Sequence, residues 1–269
     1  MRRQPLFCLL ALTSLALPSV QAQTSTSELV QISPPNIRRA EPPGETASSD
    51  ELEKRGDELR AEKAYLDALD YYRAALAKKP GNATIYNKAG ISELMMQRYK
   101  EAGKDFARAI RFDHEFADAV NNLGVIDYEE KKYGKALKQY EKAIRLRPDA
   151  ASFFNNQGAA YFAKKEFEKA GEAYAKAMQL DPEILEHTSH YGVSAQLPSP
   201  EDRARYDYLI AKLCARQGDR DRSLQHLRRA MEEGYKAIDD VYKDPEFAGL
   251  RGDARFTELM AARPPGIPE

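Results

Sequence analysis

Tryptophan is missing from these 269 residues, cysteine occurs twice, and neither sign of charge prevails. Each absence closes a route. Forty-one Lys and Arg stand against 42 Asp and Glu, a formal net charge of −1. No overall basic field therefore draws the chain to nucleic acid or to anionic lipid. The cysteines are Cys8 and Cys214, too few for a disulfide framework. The main apolar run, Leu6 to Leu17, is too short to cross a bilayer comfortably.

That run has the marks of an address. Arg2 and Arg3 precede it, and Val20-Gln21-Ala22 follows with small residues at signal-peptidase spacing. The pattern predicts a secretory signal, residues 1–22, cleaved after Ala22, with a retained anchor as the alternative. Cleavage removes two cations and no acid, which leaves a net of −3 and one cysteine. An exported chain with one cysteine must be held by packing alone. The expected location is the periplasm or beyond, with no stable membrane insertion after cleavage. Residues 23–48 are rich in Ser, Thr, Pro and Glu, offer little apolar surface, and predict a disordered leader.

What the chain has in abundance is a beat of 34. Gly56, Gly90, Gly124 and Gly158 keep it. So do Ala68, Ala102, Ala136 and Ala170, then Tyr72, Phe106, Tyr140 and Tyr174, then Ala75, Ala109, Ala143 and Ala177. A fixed period of this length means stacked copies of one small unit. Within a copy the apolar spacing is helical twice over. Val120, Leu123, Gly124 and Asp127 mark one face of a first helix; Ala136, Tyr140 and Ala143 mark a second. Pro80, Pro148 and Pro182 close copies, and an aromatic opens each second helix at Tyr65, Tyr99, Tyr133 and Phe167. Glycine inside a helix costs about 1 kcal/mol against alanine, so a recurring one needs a packing reason. The spacing predicts that it faces the alanine of the second helix, with the aromatic filling the gap between units.

These offsets resemble the tetratricopeptide repeat family. Residues 151–184 fit best, with Phe154, Gly158, Tyr161, Ala170, Tyr174, Ala177 and Pro182. The repeats are 49–82, 83–116, 117–150 and 151–184. The resemblance implies an all-α, right-handed superhelical solenoid of helix-turn-helix repeats with C-terminal capping helices. After Pro182 the register breaks. Residues 185–203 read as an insert that ends in a helix start, Ser199-Pro200-Glu201-Asp202. Residues 204–237 read as a degenerate fifth unit on Ala211, Cys214, Ser223, Leu227 and Ala230. Residues 238–262 supply capping helices from Ile238, Val241, Phe247, Leu250, Phe256, Leu259 and Met260, since a solenoid must cover its last core face. Residues 263–269 form a loose tail.

In this family the first helices line a concave groove. The stripe that would face it holds Asn87, Ile91 and Leu94, then Asn121, Val125 and Tyr128, then Asn155, Ala159 and Phe162. An amide both donates and accepts, so an asparagine ladder could pair with an extended peptide backbone. Asn122 and Asn156 stand where the family often has asparagine, and the alternative for them is bonding to neighbouring helix backbone. Some family members clamp acidic C-termini with Lys and Arg. Here Asp118, Asn122, Ser152 and Asn156 occupy the corresponding positions, so a doubly acidic peptide end is not the expected ligand. The expectation is a non-enzymatic module that binds a protein or peptide, without nucleic acid, cofactor or metal. The alternatives are a self-associating envelope scaffold, hence a homo-oligomer, and remotely an enzyme using the C-terminal third. His187 and His190 with Glu183 make a thin metal set, and Cys214 falls on the core face of its helix.

Overall fold

The computed structural model describes residues 40–185 and 199–263. The signal segment, most of the leader, His187 and His190 within the insert, and residues 264–269 lie outside the described residues. Eight helices fall into four pairs: α1 (Ser49–Ala61) with α2 (Tyr65–Lys78), α3 (Ala83–Met95) with α4 (Tyr99–Phe112), α5 (Ala117–Glu129) with α6 (Tyr133–Leu146), and α7 (Ala151–Ala163) with α8 (Phe167–Leu180). First and second helices each begin 34 residues apart, so the beat of the sequence is the beat of the fold. α9 (Pro200–Gln217) and α10 (Arg220–Glu232) make the fifth pair, and α11 (Ala254–Ala262) follows two short 3-10 turns. The fold is the expected all-α solenoid of helix-turn-helix units with helical capping at its C-terminal end.

The turn inside each repeat is built without glycine. Lys63, Gln97, Lys131 and Lys165 take the left-handed conformation at φ 59–62°. Each lets the next residue's N–H reach back over the helix end: Ala64 to Leu59 O at 2.8 Å, Arg98 to Glu93 O at 2.9 Å, Lys132 to Asp127 O at 2.7 Å, Glu166 to Tyr161 O at 3.0 Å. These bonds satisfy carbonyls that a helix end leaves orphaned. The fifth unit uses Gly218 for the same turn, at φ 82°.

The recurring glycines face the rings, not the alanines. A Cβ added at Gly56, Gly90 or Gly124 would lie 2.6 Å from the ring of Tyr72, Phe106 or Tyr140, and one at Gly158 would lie 2.7 Å from Tyr174. The aromatic of the second helix therefore lies across its own partner helix, inside the repeat. The rings are fully buried or nearly so. They set the distance between the two helices, and glycine is what fits beneath them.

First helices of neighbouring repeats touch one another, α1 with α3, α3 with α5 and α5 with α7. Neighbouring second helices make no comparable approach among the described residues, so the stack curves with the first helices inside. Its N-terminal end is polar. Where later repeats bury Ile85, Ala119 and Phe153, or place Ala89, Leu123 and Gln157, α1 has Glu51 and Arg55, with Glu58 a turn further on. Arg55 pairs with Glu58 at 2.8 Å and leans toward Glu62 at 3.8 Å. From Ala40 the leader is tied to this repeat. Ala40 N–H donates to Asp67 at 3.0 Å, and the Tyr71 hydroxyl to Glu41 O at 3.0 Å. Ser48 then caps α1 in a reciprocal box with Glu51. At the other end Val241, Phe247, Leu250, Phe256, Leu259 and Met260 bury against Tyr208, Leu227 and Met231.

Candidate peptide-binding face

The inner face is built from one register position repeated. The fifth residue of each first helix is Glu53, Asn87, Asn121 and Asn155; the sixth is Lys54, Lys88, Asn122 and Asn156. Stacking brings the sixth residue of one repeat onto the fifth of the repeat before it. Asn122 Nδ2 donates to Asn87 Oδ1 at 3.0 Å, and Asn156 Nδ2 to Asn121 Oδ1 at 2.9 Å. Asn121 Nδ2 in turn donates to Asn122 Oδ1 at 3.3 Å. The first joint has an ion pair in the same place. Lys88 Nζ donates to Glu53 Oε1 and to Asp57 Oδ2, each at 2.6 Å. Partial burial pulls the Lys88 pKa down, but the two carboxylates outweigh it, and the net shift is upward.

These rungs account for four of the five predicted asparagines. Asn87, Asn121, Asn122 and Asn156 are buried, and Asn122 and Asn156 each donate to a side chain of the preceding repeat. A buried amide without a partner costs about 1–3 kcal/mol, so the rungs hold successive repeats in register. Glu53, Asp57 and Lys88 belong to this set although the asparagine stripe does not point to them. A spacing does: Glu53 and Lys88 are 35 apart, as are Asn87 and Asn122 and as are Asn121 and Asn156.

The predicted apolar neighbours are committed too. Ile91, Val125, Tyr128 and Phe162 are buried and Leu94 is half-buried. Tyr128 packs on Tyr133 with ring centroids 5.3 Å apart, and Phe162 packs on Phe167 at 5.2 Å. Leu94 lies in the same apolar cluster as Tyr99. In the third and fourth repeats the residue near the end of the first helix thus meets the aromatic that opens the second, across the turn.

Asn155 stands apart. It is half-buried, and no hydrogen bond to it is present among the described residues. The reason is the fifth unit, which places Leu209 where a sixth-position asparagine would reach back. Leu209 turns instead to α8, 3.2 Å from where a Cβ on Gly171 would stand. Tyr206 packs edge-on against Phe162 at 5.8 Å and Tyr174 at 5.7 Å. The joint between α8 and α9 is looser than the three before it and holds a cleft of about 470 Å³. Phe167, Gly171, Leu209, Lys212 and the stacked rings of Tyr208 and Tyr235 line it. Lys212 Nζ is held there at 3.0 Å from Asp244.

The inner helices of the third and fourth repeats carry no positive charge. α5 has Asp118, Asp127 and Glu129 and no cation; α7 has no charged residue. Burial raises the Asp127 and Glu93 carboxyls above the usual carboxylate range. Among the described residues no group of His, Cys, Asp and Glu is placed to hold a metal ion. Cys214 is buried in the wall of a second cavity of about 490 Å³, where His226 Nδ1 lies 2.7 Å from Asp207.

Three tetratricopeptide repeat models match the chain, over residues 54–120, 126–165 and 151–184. No curated protein sequence matches it. Similar solved structures include a crystal structure of MamA, 21% identical over 68% of this chain and 96% of that one, with a TM-score of 0.46. MamA 41-end from Desulfovibrio magneticus RS-1 is 19% identical over 69% and 94%, with a TM-score of 0.48. YrrB, described as a TPR protein with an unusual peptide-binding site, is 20% identical over 73% and 92%, with a TM-score of 0.45.

Proposed function

We propose that this chain is a non-enzymatic protein-interaction module that holds a peptide segment of a partner along its first-helix face. The observation that carries the reading is the open end of the amide ladder. Asn155 offers a donor and an acceptor with no partner among the described residues, on the same stripe as Ala159 and Phe162 and beside the loose joint to the fifth unit. An extended backbone can use both groups at once. The absence of cations from α5 and α7 fits a neutral or basic segment rather than an acidic peptide end. A self-associating scaffold is less well supported, because Glu51, Arg55 and Glu58 make the N-terminal end a poor surface for another repeat.

The test is selection from an unbiased peptide library against the purified chain. Enriched peptides should bind Asn155→Leu at least tenfold more weakly, with helicity unchanged. A library that yields no peptide, or peptides indifferent to Asn155→Leu, overturns the groove reading. A concentration-dependent rise in mass by sedimentation would support the scaffold instead.

Export to the cell envelope is also proposed, on Arg2, Arg3, the apolar run and Val20-Gln21-Ala22. N-terminal sequencing of the protein from an envelope fraction should find Gln23 first. An intact Met1 in a cytosolic fraction overturns it.

A further inference from the structure

The net charge is close to zero, but the fold sorts it. On the outward faces of the second helices, three positions share one stripe in every repeat, spaced i, i+4 and i+7. In the second repeat they are Lys104, Arg108 and Arg111; in the third, Lys138, Lys142 and Arg145. All six are at least partly exposed, and the chain places them on one side of the stack. The same positions in the first repeat are Asp70, Ala74 and Ala77, and in the fourth Glu172, Lys176 and Gln179. The cations therefore gather on two adjacent helices, α4 and α6, and nothing in the repeat itself requires them there.

Few acids answer them. Arg108 pairs with Asp105 at 3.1 Å, and Lys104 approaches Glu101 at 3.9 Å. Arg111, Lys138, Lys142 and Arg145 have no ion pair among the described residues. Glu101 and Glu141 flank the stripes, Ala107 and Gly134 leave short gaps between them, and Phe112 stands half exposed at the end of α4. Long cations thus dominate the exposed side chains of both stripes.

We propose that this face docks on an anionic lipid surface. A protein partner would need several buried aromatic or aliphatic anchors, and beside the patch stands a single exposed large apolar side chain among the described residues, Phe112, itself stacked on Tyr86 at 5.5 Å. A layer of anionic headgroups needs only cations at a common height. The site is independent of the inner face, and it is peripheral: no helix among the described residues is long and apolar enough to cross a membrane.

The experiment is co-sedimentation of the full chain with vesicles of phosphatidylglycerol in phosphatidylcholine, against phosphatidylcholine alone. The chain should bind only the anionic vesicles, and lose them as salt rises from roughly 0.05 to 0.5 M. Each cation removed should lower partition about fivefold, so Lys138→Gln/Lys142→Gln/Arg145→Gln should lose roughly a hundredfold. The control Lys63→Gln/Lys79→Gln/Lys165→Gln makes the same charge change on other faces and should keep its binding. Both variants should retain wild-type helicity. The proposal is overturned by no binding at low salt, by equal losses in both variants, or by binding to phosphatidylcholine alone. It is equally overturned if soluble polyglutamate is bound through these residues while anionic vesicles are ignored, which would assign the face to an acidic polypeptide.

Discussion

The first four repeats and the fifth unit solve the same packing problem with different residues. In the four, a glycine lies under a buried ring: Gly56 under Tyr72, Gly90 under Phe106, Gly124 under Tyr140, Gly158 under Tyr174. In the fifth the corresponding residues are Ala211 and Leu227, both fully buried. Where the ring is gone, the glycine is gone too. The pair is therefore one device for setting the helix–helix distance, and either half alone is a misfit. The same contrast runs through the joints. Rungs of amide or ion pair hold repeats one to four together, while Leu209 leaves the last rung open and the fifth unit loosely seated.

The largest expected effect comes from breaking the pair in one place. Gly124→Ala forces a Cβ into the Tyr140 ring and against Gln139, at 2.6 and 3.1 Å. Overpacking of this kind should cost about 3 kcal/mol, read as a lowered midpoint in urea. Adding Tyr140→Leu recreates the fifth unit's pairing and should recover at least about 1 kcal/mol of that loss. Ala211→Gly, by contrast, meets no ring and should cost only about 1 kcal/mol of helix propensity. Equal effects at Gly124 and Ala211, or no coupling between Gly124 and Tyr140, would undo the comparison.

Much of this is legible in the residues alone. The beat marks out the helix pairs, and Ala211, Cys214, Ser223, Leu227 and Ala230 mark the fifth pair, because spacing along one helix reports its faces directly. What spacing does not report is what a face meets. By spacing the glycines belong against the alanines of the second helix, whereas the ring four residues further on reaches back across them. By spacing Tyr128 and Phe162 are groove pockets, whereas each packs on the aromatic five residues later, beyond the left-handed turn. The asparagines are legible as a ladder but not as each other's partners. That pairing joins residues 35 apart and depends on how far one repeat slides on the next, a property of the stack and not of a helix.

A smaller effect tests the rungs. Asn156→Ala leaves the Asn121 carbonyl buried without its donor and should cost about 1–3 kcal/mol. Asn155→Ala, at the open end, should cost less than about 0.5 kcal/mol. A double-mutant cycle of Asn121 and Asn156 should show coupling, and one of Asn121 and Asn155 should not. If Asn155→Ala proved as damaging as Asn156→Ala, the ladder would not end where the fifth unit begins.

Acid should separate the regions further. At Asp219 and Asp244 burial raises the pKa, but hydrogen bonds from Arg222, and from Lys212 and Tyr208, outweigh it and the net shift is downward. Hydrogen bonds from Arg255 hold Asp253 at about 2. A carboxyl depressed by folding stabilises above its unfolded value of about 3.9 and loses that contribution as pH falls through the folded value. Glu51 in α1 and Glu166 before α8 shift the same way. Glu93 and Asp127, in the second and third repeats, shift upward through burial, so their protonation favours the fold. Hydrogen exchange at pH 5 and pH 3 should show protection lost first over 200–263 and last over 83–150. Loss in the middle repeats first would reverse the assignment.

The smallest effect lies in the turns, where the fifth unit holds the better residue. Lys131 sits at φ 61° and Gly218 at φ 82° with the same reach-back bond: Lys132 N–H to Asp127 O in one, Asp219 N–H to Cys214 O in the other. A side chain in the left-handed region costs about 1–2 kcal/mol, from Cβ against the following carbonyl. Glycine removes that cost but adds freedom to the unfolded chain, worth about 0.4–1 kcal/mol in the other direction. Lys131→Gly should therefore stabilise by about 0.5 kcal/mol, and Gly218→Lys should destabilise by about as much or more, both read from urea midpoints. The sign is the informative part. Lys131 is exposed and no ion pair to it is present among the described residues, so a loss of stability in Lys131→Gly would mean that its side chain does something for the fold that the turn geometry does not account for.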